Sequence, residues 1–267
     1  MLKVGSRLAL CAALLVVVAC GGHHHPTSPT PPPDDQGSDN PPPPPPPPTL
    51  KVTRILCFGD SMTYGVTKPA PTFQLLDAGL PVSYPYKLQT LETARYTDQT
   101  ITVMNAGQAG EDAGTGGAPG RDRLPGVLGE AAPDVLLLME GANDLNAIPR
   151  DVVSENAAVQ HIVDAMEDMV RASQYRNVPV MLATLPPQRP GGKSSPYLDQ
   201  YNRGLRAMAK KKGAMLVDVN AQFPVDLIGN DSLHPTEAGY EKLAEIFQAA
   251  LAAAYEVPPA APSAARR

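Results

Sequence analysis

The sequence predicts an α/β domain built on a doubly wound parallel sheet, and two observations support this prediction. Short segments rich in Val, Ile, Leu and Met alternate with longer amphipathic segments, which favours parallel strands joined by helical crossovers. Several of the short segments are almost continuously apolar, as expected of strands that helices cover on both faces. The five predicted strands are Val52–Phe58, Ile101–Met104, Val135–Met139, Val178–Ala183 and Met215–Val219.

Two of the amphipathic segments carry apolar stripes that predict helices. The first stripe follows the i, i+3, i+4, i+7 spacing of a helix that is buried on one side. The second belongs to a closing helix, which we expect to begin at Pro235 because proline is favoured at the first helical position. The first stripe is Val159, Ile162, Val163, Met166, Met169 and Val170, and the second is Tyr240, Leu243, Ala244, Phe247, Ala250 and Leu251.

Composition limits the classes of function. The 267 residues carry 22 Lys+Arg against 27 Asp+Glu, a formal net charge of −5, which argues against a nucleic-acid partner because that would require a basic face. Hydrophobic residues make up 43%, enough for a core, so the chain is not disordered throughout. Cys11 lies in a predicted signal and Cys20 is predicted to be modified. Only Cys57 remains as a free thiol, and no disulfide framework is expected.

The first 19 residues are predicted to be a secretory signal peptide. Lys3 and Arg7 precede the apolar run Leu8–Ala19, which is too short to span a bilayer as a helix. The segment Val17–Cys20 resembles the lipobox of bacterial lipoproteins, in which the cysteine is lipidated and becomes the mature N-terminus. The resemblance implies lipidation at Cys20 and attachment to the bacterial cell envelope, at the outer membrane or the periplasmic face of a membrane. An ordinary signal with a coincidental cysteine is the alternative.

Residues 20–49 are predicted to join the lipidated cysteine to the domain through a proline-rich, disordered linker. The eight consecutive prolines Pro41–Pro48 favour an extended polyproline II conformation of about 3.1 Å per residue, which suits a semi-rigid spacer. A ligand for a proline-binding domain is the alternative. The folded domain is predicted over residues 50–257 and a disordered tail over residues 258–267.

Polar residues cluster where the predicted strands end, and ligands of open parallel sheets bind at these carboxyl ends. The first strand leads into Gly59-Asp60-Ser61, where the serine could present its hydroxyl on a tight turn or cap a helix. The third strand leads into Asn143, which could cap a helix or offer its amide to a developing oxyanion. Glycines after the second strand would let a backbone N–H approach a ligand, and they match neither a phosphate loop nor a dinucleotide fingerprint.

His234 is the candidate base of the domain. Pro235 disfavours a helical conformation for His234, which is therefore expected in a turn before the last helix. Asp231, three residues earlier, can reach the imidazole Nδ1 and leave Nε2 free as a base. His161 lies off the apolar stripe of its helix and is expected to be solvated.

Four blocks in this order resemble the SGNH (GDSL-type) hydrolase family. The resemblance implies a three-layer α/β/α, flavodoxin-like fold with a five-stranded parallel sheet, and neither a metal nor a cofactor. The match spans nearly the whole predicted domain, and the order of the blocks at predicted strand ends makes it specific. The blocks are Gly59-Asp60-Ser61, Gly110, Gly141-Ala142-Asn143-Asp144 and Asp231-Ser232-Leu233-His234-Pro235.

The same resemblance implies roles for individual residues. Ser61 would be the nucleophile, His234 the base and Asp231 its orienting partner. The oxyanion hole would combine the N–H of Ser61, the N–H of Gly110 and the side chain of Asn143. Gly107 competes for the glycine position, and we prefer Gly110 because the acidic residue that commonly follows the family's glycine is present as Glu111.

These residues predict a serine esterase that acts as an envelope-tethered monomer on small-molecule or lipid esters or thioesters, through an acyl-serine intermediate. An acyltransferase, lysophospholipase or thioesterase with the same triad is an alternative, and a non-catalytic surface-binding lipoprotein is another. An α/β-hydrolase would require G-x-S-x-G, whereas Thr63 occupies the last position, and a metal phosphoesterase would require more histidines. The segments Val66–Val82 and Pro186–Pro196 are expected to rim the pocket.

Overall fold

The computed structural model describes residues 46–66, 80–149 and 155–258. Its strands are β1 (Thr49–Leu50), β2 (Arg54–Gly59), β3 (Thr102–Gly107), β4 (Val135–Met139), β5 (Val180–Ala183), β6 (Met215–Val217) and β7 (Glu256–Val257). Its helices are α1 (Ser61–Tyr64), α2 (Tyr84–Arg95), α3 (Gly120–Ala131), α4 (Ala142–Ala147), α5 (Glu155–Tyr175), α6 (Ser195–Lys212), α7 (Val219–Gln222) and α8 (Glu237–Tyr255), with a 3₁₀ turn at Val225–Leu227.

Five parallel strands form the central sheet in the order β3-β2-β4-β5-β6, and helices flank it, which confirms the predicted fold class. The chain reverses its direction of travel across the sheet after β3, and right-handed crossovers then place the helices before and after this point on opposite faces. Helix α2 packs against α8, while α5 packs against both α3 and α6. In the register of the sheet, Gly59 of β2 is opposite Gly107 of β3 and Met139 of β4. The segments that follow these three strands therefore emerge at one edge.

The predicted ends of the first two strands differ from the observed ones for identifiable reasons. Strand β2 begins two residues after Val52, because the N–H groups of Thr53 and Arg54 donate to the Asp134 side chain, at 2.7 and 2.9 Å. Strand β3 continues beyond Met104 to Gly107 through small and polar residues, which the search for apolar runs did not include. Apolar runs thus located these strands but not their ends.

Both apolar stripes lie on helices that face the core. All six stripe residues of α5 are buried, and all but the half-buried Ala250 are buried on α8. The prediction that the closing helix begins at Pro235 is wrong. Pro235 pairs with Ile228 in an isolated antiparallel bridge, and the side chain of Thr236 caps α8 by accepting the N–H of Gly239 at 3.1 Å. His161 is exposed on α5, as predicted.

A small antiparallel pair, β1 with β7, joins the beginning and the end of the described domain. Arg95 at the end of α2 supports it by donating two hydrogen bonds to the Glu256 carboxylate, at 2.7 and 2.9 Å. Among the described residues, no helix is both long enough and apolar enough to cross a membrane. The predicted signal, the predicted lipidation site Cys20, nearly all of the predicted linker and nearly all of the predicted tail lie outside the described residues.

Candidate active site

Ser61 lies at the edge of the sheet where β2 ends, as the first residue of the short helix α1. The preceding Asp60 caps this helix, because its Oδ1 accepts the N–H of Met62 at 2.8 Å. The Ser61 hydroxyl is therefore not used as a helix cap and remains available for another contact. Burial raises the pKa of Asp60 to about 6, although the Met62 N–H and the nearby His234 counteract this effect.

The side chains of Ser61, His234 and Asp231 form a continuous hydrogen-bonded series. Ser61 Oγ lies 2.8 Å from His234 Nε2, across 173 residues of sequence. His234 Nδ1 lies 2.7 Å from Asp231 Oδ2. The two ring nitrogens of His234 thus have different partners, and a carboxylate on Nδ1 favours the tautomer in which Nε2 can accept a proton.

The turn from Asp231 to His234 is held by the aspartate itself. Asp231 Oδ1 accepts the backbone N–H groups of Leu233 and His234, at 3.0 and 2.9 Å, while Oδ2 faces the ring. Burial tends to raise the pKa of Asp231, but the hydrogen bonds from the His234 ring and from these two backbone groups outweigh it and lower the pKa. The carboxylate is therefore stabilised as an anion. Ser232 adopts a left-handed conformation with φ of 66°, which costs this turn some backbone strain.

The structure distinguishes the two glycines that competed for the oxyanion position. Gly107 is buried, and its N–H already donates to the Asn105 side chain at 2.9 Å. Gly110 is exposed, has a φ of +82° and occupies the third position of a tight turn in which the Glu111 N–H donates to the Gln108 carbonyl. This positive φ favours glycine at the third position of the turn. The N–H of Gly110 donates to no other described residue, so it is free to contact a ligand.

Asn143 stands in the first turn of α4, directly after β4, and is half-buried. It does not cap the helix, since Gly141 occupies the cap position with a φ of +104°. One N–H of the Asn143 amide donates to the backbone carbonyl of Glu111 at 2.7 Å. The amide is thus fixed against the loop that carries Gly110, and its second N–H is left for a group beside it.

All the residues predicted for the catalytic triad and the oxyanion hole line one cavity of about 340 Å³. Val66, the first residue of one predicted rim segment, also lines it, whereas nearly all of the remainder of that segment lies outside the described residues. None of the second predicted rim segment, Pro186–Pro196, is among the described residues that line this cavity, so its place at the rim stays a prediction. Its Arg189 instead donates to the carbonyls of Asp226 and Ile228, just before the Asp231 turn. The lining residues are Ser61, Val66, Ala109, Gly110, Asn143, Asp231 and His234.

The sequence analysis missed two features near the cavity. Glu140, at the end of β4, is fully buried, and neither carboxylate oxygen has a hydrogen-bond partner. Burial, together with the charges of Asp60 and Glu111, raises the pKa of Glu140 well above its usual value. The second feature is a buried ion pair between Glu111 and Arg123 of α3. The sequence marks Glu111 only as an acidic residue after a glycine. It does not indicate Arg123 as its partner, because a separation of twelve residues matches no helix or strand spacing.

Comparisons with known proteins agree with this fold. A sequence profile of the GDSL-like lipase/acylhydrolase family matches residues 57–242. An arylesterase from Vibrio mimicus is 26% identical over 196 residues, which cover 72% of this chain and 84% of the relative. An acetylxylan esterase from Geobacillus stearothermophilus superposes with a TM-score of 0.56 at 20% identity, over 76% of this chain and 96% of that structure. An inhibitor-bound aryl esterase from M. smegmatis gives 0.58 at 22% identity, over 74% and 99%.

The fold and these matches first define the class of the protein, which is a hydrolase acting on ester bonds, built on a flavodoxin-like α/β/α sheet. Within that class, the chain belongs to the GDSL-like lipase/acylhydrolase family, whose profile covers most of the described domain. The two solved structures share no more than 22% identity with the chain, and they support its fold alone.

Proposed function

We propose that the protein is a serine esterase that hydrolyses carboxylic esters or thioesters through an acyl-serine intermediate, with Ser61 as nucleophile, His234 as base and Asp231 as its orienting partner. The observation that supports this most directly is the 2.8 Å contact between Ser61 Oγ and His234 Nε2 at the wall of an open cavity. A serine hydroxyl is a weak nucleophile at neutral pH and requires an adjacent base. His234 supplies that base, and the Asp231 carboxylate stabilises the imidazolium that forms.

The reaction proceeds in two steps, acylation of Ser61 and then hydrolysis of the acyl-serine. Ser61 Oγ attacks the carbonyl carbon while its proton passes to His234 Nε2. The tetrahedral intermediate then breaks its bond to the leaving alcohol or thiol, which takes the proton from Nε2 and leaves an acyl-serine. Water next gives a proton to Nε2 as its oxygen attacks the acyl carbon, and the carboxylic acid departs as Ser61 recovers its proton.

The developing oxyanion would be met by three donors: the N–H groups of Ser61 and Gly110 and the second amide N–H of Asn143. All three residues line the same cavity as the nucleophile. The two backbone groups donate to no other described residue, so they require no rearrangement to receive a charge. Loss of one such donor typically costs about 10²–10³ in turnover.

The choice of first substrates follows from the relatives and from the cavity. The relative matched by sequence is an arylesterase, so aryl esters are the first compounds to test. Beside the proposed catalytic groups, the described lining is completed by the small residues Val66 and Ala109. Because this cavity holds only about 340 Å³, we propose that short acyl chains react fastest in a panel of p-nitrophenyl esters from C2 to C16.

Replacement of the nucleophile tests the proposal. We expect Ser61→Ala to lower turnover of p-nitrophenyl acetate by at least about 10³-fold without loss of fold, because no other described residue that lines the cavity carries a hydroxyl or thiol. A fluorophosphonate probe should label the parent protein on Ser61 and leave the variant unlabelled. The matched control is Ser173→Ala, which removes another buried serine hydroxyl, bonded to the Val178 carbonyl at 3.0 Å on α5. Equal turnover by Ser61→Ala and the parent would reject the assignment.

We also propose that the enzyme is tethered to the bacterial cell envelope by lipid on Cys20. The proposal is supported by the short apolar run after two basic residues, by the Val17–Cys20 lipobox resemblance and by the proline-rich segment that follows. More than one acyl chain on Cys20 would hold the protein stably on a membrane surface. We expect Cys20→Ser to move esterase activity from the membrane fraction to the soluble fraction of the cell envelope. Unchanged fractionation would contradict lipidation.

A further inference from the structure

We propose that Arg123 and Glu111 are positioning residues that hold the Asn143 amide in place for the oxyanion. This inference rests on the proposed function, because it concerns the same tetrahedral intermediate. Neither Arg123 nor the carboxylate of Glu111 is among the residues that line the cavity, so both would act through Asn143 and not on the substrate.

The guanidinium of Arg123 is fixed by several partners at once. Its Nε donates to Glu111 Oε1 at 2.6 Å, and its Nη2 donates both to Glu111 Oε2 and to the carbonyl of Ala106, the latter at 3.0 Å. The guanidinium also lies 4.0 Å from the centre of the Phe58 ring on β2. A planar fork with these partners has one orientation, which a lysine ammonium would not reproduce.

These contacts fasten both sides of the tight turn at residues 108–111, which carries Gly110. Ala106 precedes this turn on β3 and Glu111 is its last residue, so a single side chain joins the two sides of the turn. The backbone carbonyl of Glu111 then accepts the Asn143 amide N–H at 2.7 Å. The position of this carbonyl sets the direction of the second N–H of Asn143. The hydrogen bonds from Arg123 to the Glu111 side chain hold Glu111, and therefore its carbonyl, in place.

The burial of the pair makes the arrangement rigid. The Glu111 side chain is completely buried and that of Arg123 is 14% exposed. Burial raises the pKa of Glu111, and Arg123 counteracts this through its hydrogen bonds and charge. A buried ion pair adds little net stability compared with apolar residues, whereas loss of one partner leaves a costly unpaired charge. The ion pair between Glu111 and Arg123 is therefore better explained by a role in fixing the position of Asn143 than by a contribution to stability.

A double-mutant cycle separates positioning from stability. Arg123→Gln should lower kcat for p-nitrophenyl acetate about 10- to 100-fold and change KM less than about threefold, since small displacements of catalytic groups cost rates of this size. In an Asn143→Ala background the same change should cost less than about threefold, because the group it positions is already absent. An equal loss in both backgrounds would overturn the proposal.

A second measurement reports on the oxyanion itself. A trifluoromethyl ketone adds to the nucleophilic serine and places a negative oxygen in the oxyanion hole, so its inhibition constant should rise in parallel with the loss in kcat. An inhibition constant that stays at the parent value while kcat falls would contradict positioning. Arg123→Lys keeps a positive charge beside Glu111 and is used in the same cycle if Arg123→Gln does not fold. It should give a smaller loss of kcat with the same dependence on Asn143.

The matched control is Arg206→Gln. Arg206 makes the same kind of two-bonded ion pair, with both contacts to Asp218 at 2.8 Å, and neither residue lines the cavity. We expect it to lower the melting temperature without changing kcat or the inhibition constant. Failure of the proposed function would appear as activity retained in Ser61→Ala. Failure of this inference alone would appear as an inactive Ser61→Ala together with independent effects of Arg123 and Asn143.

Discussion

The exposed carboxyl group at the active-site edge of the sheet and the buried carboxyl groups beside it have pKa values that are shifted in opposite directions. Asp231, at the exposed rim, accepts three hydrogen bonds, which lower its pKa. Glu140 is fully buried, and neither of its carboxylate oxygens has a hydrogen-bond partner. Asp60 is also fully buried, and only its Oδ1 is bonded. Burial raises the pKa of both of these residues.

This difference shows that burial and hydrogen bonding, and not distance from the nucleophile, set the direction in which each carboxyl pKa is moved. Asp60 is the immediate neighbour of Ser61 in sequence, yet burial raises its pKa to about 6. Asp231 is 170 residues away along the chain and is the carboxylate stabilised as an anion. An ionised partner is what an imidazolium at His234 requires, whereas further negative charge beneath the nucleophile would oppose the oxyanion.

The largest expected effect in this comparison comes from removing the charge at the rim. We expect Asp231→Asn to lower kcat about 10²–10⁴-fold at neutral pH, because an amide can hold His234 Nδ1 in the wrong tautomer and cannot stabilise the imidazolium. Steady-state hydrolysis of p-nitrophenyl acetate measures this effect. The matched control is Asp226→Asn, since Asp226 lies in the nearby 3₁₀ turn and is exposed. A loss of less than tenfold in Asp231→Asn would show that His234 does not depend on this carboxylate.

A smaller effect, on the free energy of unfolding, is expected from replacing the buried Glu140. The raised pKa of Glu140 means that the folded protein retains a proton that the unfolded chain releases above about pH 4.5, so stability falls as pH rises through this window. Glu140→Gln removes this dependence. Its free energy of unfolding should therefore exceed that of the parent by an amount that grows from pH 5 to pH 8, by at most about 1.4 kcal/mol per pH unit.

Urea unfolding at pH 5, 6, 7 and 8 measures the difference between Glu140→Gln and the parent. The control is Glu130→Gln, which alters an exposed glutamate on α3 and should give no gain that depends on pH. A constant difference between Glu140→Gln and the parent at all four values would mean that Glu140 keeps its ordinary pKa in the folded protein.

The sequence could predict those features of the site that depend on neighbouring residues in the chain. Ser61 and His234 stand beside local signals, since glycine and a strand end precede the serine and Pro235 follows the histidine. Such signals depend only on neighbours in the chain, and they located both residues at the correct edge of the sheet. The core stripes of α5 and α8 were predictable for the same reason, because helical periodicity is local.

Other features depend on contacts that no local pattern encodes. The start of α8 was misplaced because the Thr236 N–H donates to the Leu227 carbonyl at 2.8 Å, which keeps the segment around Pro235 extended. The pairing of Arg123 with Glu111, and the isolation of Glu140, arise only once the strands and helices are assembled. Residue type alone would place these charged side chains at the surface.

The smallest expected effect concerns Cys57, which lies on β2 in the same interior as the buried carboxylates. Burial raises the pKa of its thiol well above the usual range, and a hydrogen bond with Tyr84 opposes this only in part. Because the thiolate is the reactive form, we expect no alkylation of the Cys57 peptide by iodoacetamide in the native protein at pH 8, and complete alkylation in urea, both measured by mass spectrometry. Rapid labelling of the native protein would show that water reaches this interior. Burial could then no longer explain the raised pKa values of Asp60 and Glu140. The difference between their pKa values and that of Asp231 would need another cause.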